Sequence, residues 1–163
     1  MKRVFRGAWI LVLVGLLAAC GTGGSEPAAG ESGTVTVSNV QANMTLPSDT
    51  GSLWMEIHNG TDMDDALIGA EFDGCVAIEL HDMIMENDVM VMRPVEGGQI
   101  PIPAGETVEL KKGGLHVMCI GKEAPLEAGS SLDVALKFAN AGDIAVTAVV
   151  VEPGEMPMNM SKE

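Results

Sequence analysis

The sequence predicts an all-β fold, a single antiparallel sandwich or barrel domain, on three observations. Apolar and polar residues alternate at period two in short runs, turn residues punctuate the chain at close intervals, and no window keeps a 3.6-residue period for more than two turns. A chain of 163 residues has room for one such domain plus appendages.

The elements follow in order. Thr34-Val35-Thr36-Val37 alternates polar and apolar, and Leu53-Trp54-Met55-Glu56-Ile57-His58 reads as a strand that ends in the turn pair Asn59-Gly60. Residues 66–72 and 75–81 are apolar runs on either side of Asp73-Gly74, and Met90-Val91-Met92 is a short third run. Residues 100–102 and 107–110 flank the turn Pro103-Ala104-Gly105, and residues 115–120 follow Gly113-Gly114. Two longer strands, 132–138 and 144–151, are joined by Asn140-Ala141-Gly142-Asp143. Glu152-Pro153-Gly154 then breaks the pattern. The domain is therefore placed at 34–152, and 153–163 form a tail carrying Met156, Met158 and Met160.

The N-terminus reads as an export signal. Lys2, Arg3 and Arg6 precede an apolar stretch at 8–17 that is short for a membrane span. It closes in Leu17-Ala18-Ala19-Cys20-Gly21, which resembles a bacterial lipobox; signal peptide 1–19 is then removed and Cys20 lipidated. A lipid on Cys20 holds a protein at a membrane surface without spanning it. Residues 20–33, rich in Gly, Ser, Glu and Pro after the cysteine, form a flexible tether. The expected location is extracytoplasmic, in the periplasm or on the outer face of the cytoplasmic membrane. Loss of 1–19 removes three basic groups and leaves 23 acidic against 6 basic residues, a formal charge near −17. So acidic a chain lacks the basic patches that nucleic acid requires.

Chemistry concentrates between His81 and Met118. This stretch holds two of the three histidines and five of the twelve methionines, as His81, Met83, Met85, Met90, Met92, His116 and Met118. Imidazole with thioether is a soft, uncharged ligand set, and thioethers select Cu(I) over zinc, magnesium or calcium. Thioethers also cannot form disulfides, to which thiols are lost in an oxidising compartment. On a strand, His116 and Met118 project to one side. A hairpin around Asn87-Asp88 returns Met92 towards His81, and if residues 115–120 pass beside it, His81, Met92, His116 and Met118 converge. Imidazole binds a metal only when neutral, so acidification should weaken the site. Met83, two residues from His81, is the rival to Met92. Met55, Met83, Met85 and Met90 read as core filler, Met44 and Met63 as loop residues, and His58 as a solvent-facing strand end. Cys75 has the parity of His81, while Cys119 has parity opposite to His116 and Met118. Facing alone does not bring the two together, and pairing, metal ligation and plain burial are left open.

The pattern of His81, ten residues, Met92, a hairpin and His116-x-Met118 resembles the signature of the PCu(A)C-type periplasmic copper chaperones. Glu79-Leu80-His81-Asp82-Met83, Met92-Arg93-Pro94-Val95, the run Ile102-Pro103-Ala104-Gly105-Glu106-Thr107-Val108 and Gly113-Gly114-Leu115-His116-Val117-Met118 support it, and the similarity covers about residues 35–150. Two departures stand out. The gap from Met92 to His116 is 23 residues, slightly longer than usual, and Asp82 rather than Met follows His81. The resemblance implies a cupredoxin-like (immunoglobulin-like) β-sandwich that binds Cu(I) through His81, Met92, His116 and Met118. It also implies delivery to the CuA centre of cytochrome c oxidase, with subunit II or a Sco-type assembly protein as the partner. The C-terminal methionines resemble the extension that binds additional copper in some members, without its histidines.

The expected protein is a monomeric metallochaperone with no enzymatic activity, since no Ser, Cys or carboxylate falls in a recognisable catalytic pattern. A copper-sequestering or resistance lipoprotein would share the same site. A cupredoxin-type electron carrier needs a Cys ligand and a second His placed otherwise than in His116-Val117-Met118-Cys119, after which no histidine follows. A plain sandwich domain decorated with methionine would bind no stoichiometric metal.

Overall fold

In a computed structural model, which describes residues 33–154, the chain forms ten strands and one short 3-10 turn at Glu96–Gly98. The strands are β1 (Val35–Asn43), β2 (Thr50–Asn59), β3 (Asp65–Glu71), β4 (Cys75–Glu86) and β5 (Val89–Pro94). They continue as β6 (Ile100–Ile102), β7 (Thr107–Leu110), β8 (His116–Lys122), β9 (Ser131–Phe138) and β10 (Asp143–Val150). The signal peptide, Cys20, nearly all of the tether and the tail methionines lie outside the described residues.

The hydrogen-bonded path runs β5-β4-β8-β2-β1-β10-β9-β3-β6, and β7 pairs with the second half of β2. The path folds over at the β1–β10 junction into a two-layer sandwich. That junction is the one departure from antiparallel pairing among the described ladders. β1 and β10 run parallel and meet only through Gln41↔Val149 and Ala42↔Val150. Between the layers lies one core. Leu53, Met55, Ile57, Leu80 and Val117 from one side meet Leu67, Val134, Leu136, Phe138 and Val150 from the other. Each such buried side chain contributes roughly 1.5–3 kcal/mol of hydrophobic stabilisation before the entropy of ordering is set against it.

Two local features extend the strands beyond the runs read from sequence. β1 continues to Asn43 through an irregularity between Ser38 and Gln41, where Asn39 takes φ 53°. Its Nδ2 donates to Glu56 Oε2 at 2.9 Å on the neighbouring strand. β4 runs on past His81 to Glu86 and turns through Asn87 and Asp88, at φ 50° and 64°. Positive φ at both central residues suits the two-residue hairpin turn whose twist matches the strands, and Asn and Asp tolerate it. Met44 lies in the loop just beyond β1, as expected, and is buried in the core there. At the far end of the domain, burial opposes the charge on Asp65. The backbone N–H groups of Asn140, Ala66 and Ala141 outweigh that penalty and hold its carboxyl below the usual range.

Cys75 and Cys119 form a disulfide between β4 and β8. Strict alternation argued against it, and alternation fails at this end of β4. Val76 shares the parity of the core residues Ile78 and Leu80, yet it is 82% exposed. Opposite it, Gly121 adopts φ 65°. The local break turns Cys75 towards the core face, where Cys119 lies fully buried.

Candidate metal centre

The candidate site is built on the outer face of β5-β4-β8, and strand register places its residues. His81 lies directly opposite His116, and Glu79 opposite Met118. Across the next ladder, Met83 lies opposite Met92 and His81 opposite Pro94. Directly opposed residues of an antiparallel pair point to the same side, as do residues i and i+2. Glu79, His81, Met83, Met92, His116 and Met118 therefore share one face. Leu80 and Val117 between them turn into the core. Met92 lies on the diagonal from His81 across the ladder and Met83 two residues along the same strand, so register roots both thioethers next to His81 on its face. The two histidine ring centroids are 5.9 Å apart at an interplanar angle of 62°.

Each imidazole has one nitrogen held and the other available. His116 Nδ1 donates to the Gly114 carbonyl at 2.9 Å, which leaves the Nε2 lone pair free. His81 Nε2 lies 2.9 Å from Glu79 Oε2; an ionised carboxylate only accepts, so Nε2 carries the proton. The other nitrogen, His81 Nδ1, is buried without a hydrogen-bond partner. An acceptor nitrogen buried with nothing to accept is costly unless it serves a further ligand. Acceptors that fix the tautomer from behind are the usual support of a metal-binding histidine. Glu79 and the Gly114 carbonyl, which hold one nitrogen of each ring, were not singled out as site groups by the sequence reading. Glu79 was accessible as the acid two residues before His81, on the same face of a strand. The Gly114 contact depends on loop geometry and had no signal.

Both histidines are buried, Met118 is half-buried, and Met92 is 45% exposed. Imidazoles thus form the floor of the site and thioethers its solvent-facing side. Among the described residues, no three His, Cys, Asp or Glu side chains group into a metal site, so a metal held here depends on methionine sulfur. The disulfide removes both Cys75 and Cys119 from the set of possible thiolate ligands. Met55 belongs to the core as expected. Met85 and Met90 do not: they are 64% and 44% exposed. His58 is half-buried, its Nδ1 3.0 Å from the Thr107 hydroxyl, remote in register from the pair.

A family model, LpqE-like, matches residues 35–150. Lxx21020 of Leifsonia xyli subsp. xyli (strain CTCB07), which carries "lipoprotein" in its name, is 36% identical over 86 residues, 53% of this chain. The match spans about half, 51%, of that relative's length. The copper-bound PCuAC domain from PmoF2 superposes with a TM-score of 0.62 at 21% identity, over 76% of this chain and 97% of that one, and shows the same fold. The solution structure of CuI-DR1885 from Deinococcus radiodurans gives a TM-score of 0.54 at 26% identity, over 72% of this chain and 79% of that one.

Proposed function

The chain belongs to the LpqE-like family through residues 35–150, and from that premise we propose that it is an exported Cu(I)-binding metallochaperone. Its ligands are His81, Met92, His116 and Met118, and the ion is cargo, taken up and passed on without turnover chemistry. One observation carries this reading. Register sets the two imidazoles opposite each other, each with one nitrogen held by a protein acceptor and the other left over, on a face that also presents the thioethers. The copper-bound PCuAC domain and CuI-DR1885 are similar proteins that hold copper, the second as Cu(I).

Two imidazoles and two thioethers bring no charge, so the loaded site carries the single positive charge of the ion. Soft, neutral sulfur suits Cu(I), and the disulfide keeps the strongest competing ligands out of reach. Delivery fits better than storage because Met92 lies open to solvent, where an acceptor's ligand can replace it while the imidazoles still hold the ion. The proposed acceptor is the CuA centre of cytochrome c oxidase subunit II, reached directly or through a Sco-type assembly protein. The proposed address is extracytoplasmic, with lipid on Cys20 as the anchor and residues 20–33 as the tether.

The test is an anaerobic Cu(I) competition titration of residues 21–163, the exported chain without its lipidated Cys20, beside His116→Ala/Met118→Ala. One tight equivalent in the parent and its loss in the double variant are expected. A tight equivalent that survives the double substitution overturns the assignment.

A further inference from the structure

Beyond the four ligands, the β4–β5 hairpin carries a row of thioethers that packing does not explain. Met83 lies opposite Met92, and one step towards the turn Met85 lies opposite Met90. By alternation all four point to the face that holds His81 and His116. Among the described residues, the hairpin stands at the end of the strand order, with β5 paired only to β4. Nothing among the described residues covers its outer rungs: Met85 is 64% exposed, Met90 44% and Met92 45%. Methionine fills irregular gaps in a core; Met83 is half-buried, but at Met85, Met90 and Met92 there is no gap to fill. The polar groups of the hairpin lie on the opposite side, where Arg93 pairs with Glu86.

We propose that Met83, Met85 and Met90 form a second, outer Cu(I) site made of thioethers alone, contiguous through Met92 with the histidine site. This rests on the reading of His81, Met92, His116 and Met118 as the inner site. Opposed residues on a ladder have Cβ atoms about 4.5–5.5 Å apart, and residues i and i+2 about 6.5–7 Å. Three long, unbranched side chains rooted on that grid can turn their sulfurs onto one ion. Thioether is soft and neutral, so the outer site takes Cu(I) or Ag(I) and leaves zinc, calcium and magnesium in solution. Without imidazole it binds more weakly than the inner site. Weakness is what a point of entry and exit requires: the ion lands near the turn, moves to Met92 and settles on the histidines, or leaves by the reverse path. The strongly acidic chain raises the local concentration of cations at such a landing point.

The test follows methionine methyl resonances of residues 21–163, the exported chain without its lipidated Cys20, labelled at the methionine methyl carbons and assigned by single Met→Leu variants. Cu(I) is added anaerobically as its acetonitrile complex. The first equivalent should shift Met92 and Met118. The second, bound at least about tenfold more weakly, should shift Met83, Met85 and Met90. In Met85→Leu/Met90→Leu the first set of shifts should persist and the second should disappear, with unchanged affinity for the first equivalent. The substituted side chains are exposed and of similar volume, so the fold should be retained. If Met85 and Met90 stay unmoved while Met156, Met158 and Met160 take the second equivalent, or if no second equivalent binds, the outer site is overturned and the inner one stands. If Met92 and Met118 fail to shift with the first equivalent, the inner reading falls separately.

Discussion

At the scale of single residues, the site depends on groups that would not touch the ion. Glu79 holds the proton of His81 on Nε2 and leaves Nδ1 without a hydrogen-bond partner, open to the proposed ion. Glu79→Gln removes the charged acceptor and lets the ring exchange tautomers. It should lower Cu(I) affinity about tenfold, the lower end of what supporting hydrogen bonds contribute. Long-range 1H–15N spectra of His81 in the metal-free chain check the cause: a protonated Nε2 in the parent, and mixed tautomers in the variant. An unchanged spectrum with lowered affinity would assign Glu79 a different role. The proposed ligand types were readable from the sequence, because soft-metal chemistry needs few residue kinds and their spacing is local to the chain. Met85 and Met90 were misread as core filler. Alternation tells which residues share a face, and it cannot tell whether that face is covered.

At the scale of elements, most strands were legible, since turn residues and period-two alternation are local properties of the chain. What escaped was wherever a strand tolerates an irregularity. β1 crosses its break at Asn39, and β4 passes beyond His81 because the residues after it, though mostly apolar or acidic, can still pair with β5. The Cys75–Cys119 bond escaped for the same reason, as facing arguments assume an unbroken pleat. Gly121 sits at that break. An alanine there would put its Cβ 2.7 Å from the Val76 Cβ, at φ 65°. The left-handed backbone alone costs a non-glycine residue about 1–2 kcal/mol. Gly121→Ala should therefore lower stability in denaturant unfolding by at least that much, and an equally stable variant would show that the Val76–Gly121 break can relax freely.

At the scale of the whole molecule, the disulfide closes a loop with a sequence separation of 44 residues. Loop-closure entropy for that separation is worth about 4 kcal/mol. Cys75→Ala/Cys119→Ala should lose stability of that order in urea, measured against the oxidised parent. A loss below about 1 kcal/mol would place the stability of the sandwich elsewhere. The fold as a whole was legible down to its layer architecture; the single parallel contact of β1 with β10 was not, because two residue pairs leave no mark on composition or period. The loop has one further consequence. His81, Met92, His116 and Met118 all lie between Cys75 and Cys119 in the chain, so the bond encircles every proposed ligand. A newly exported chain still carries both thiols, and thiolate binds Cu(I) more strongly than thioether does. An ion met at that moment would occupy the two sulfurs that must join each other and would delay their closure. If the chain carries copper as proposed, the covalent ring would impose a chronology on it: oxidation first and loading second, with a chain charged too early holding the ion in the wrong place.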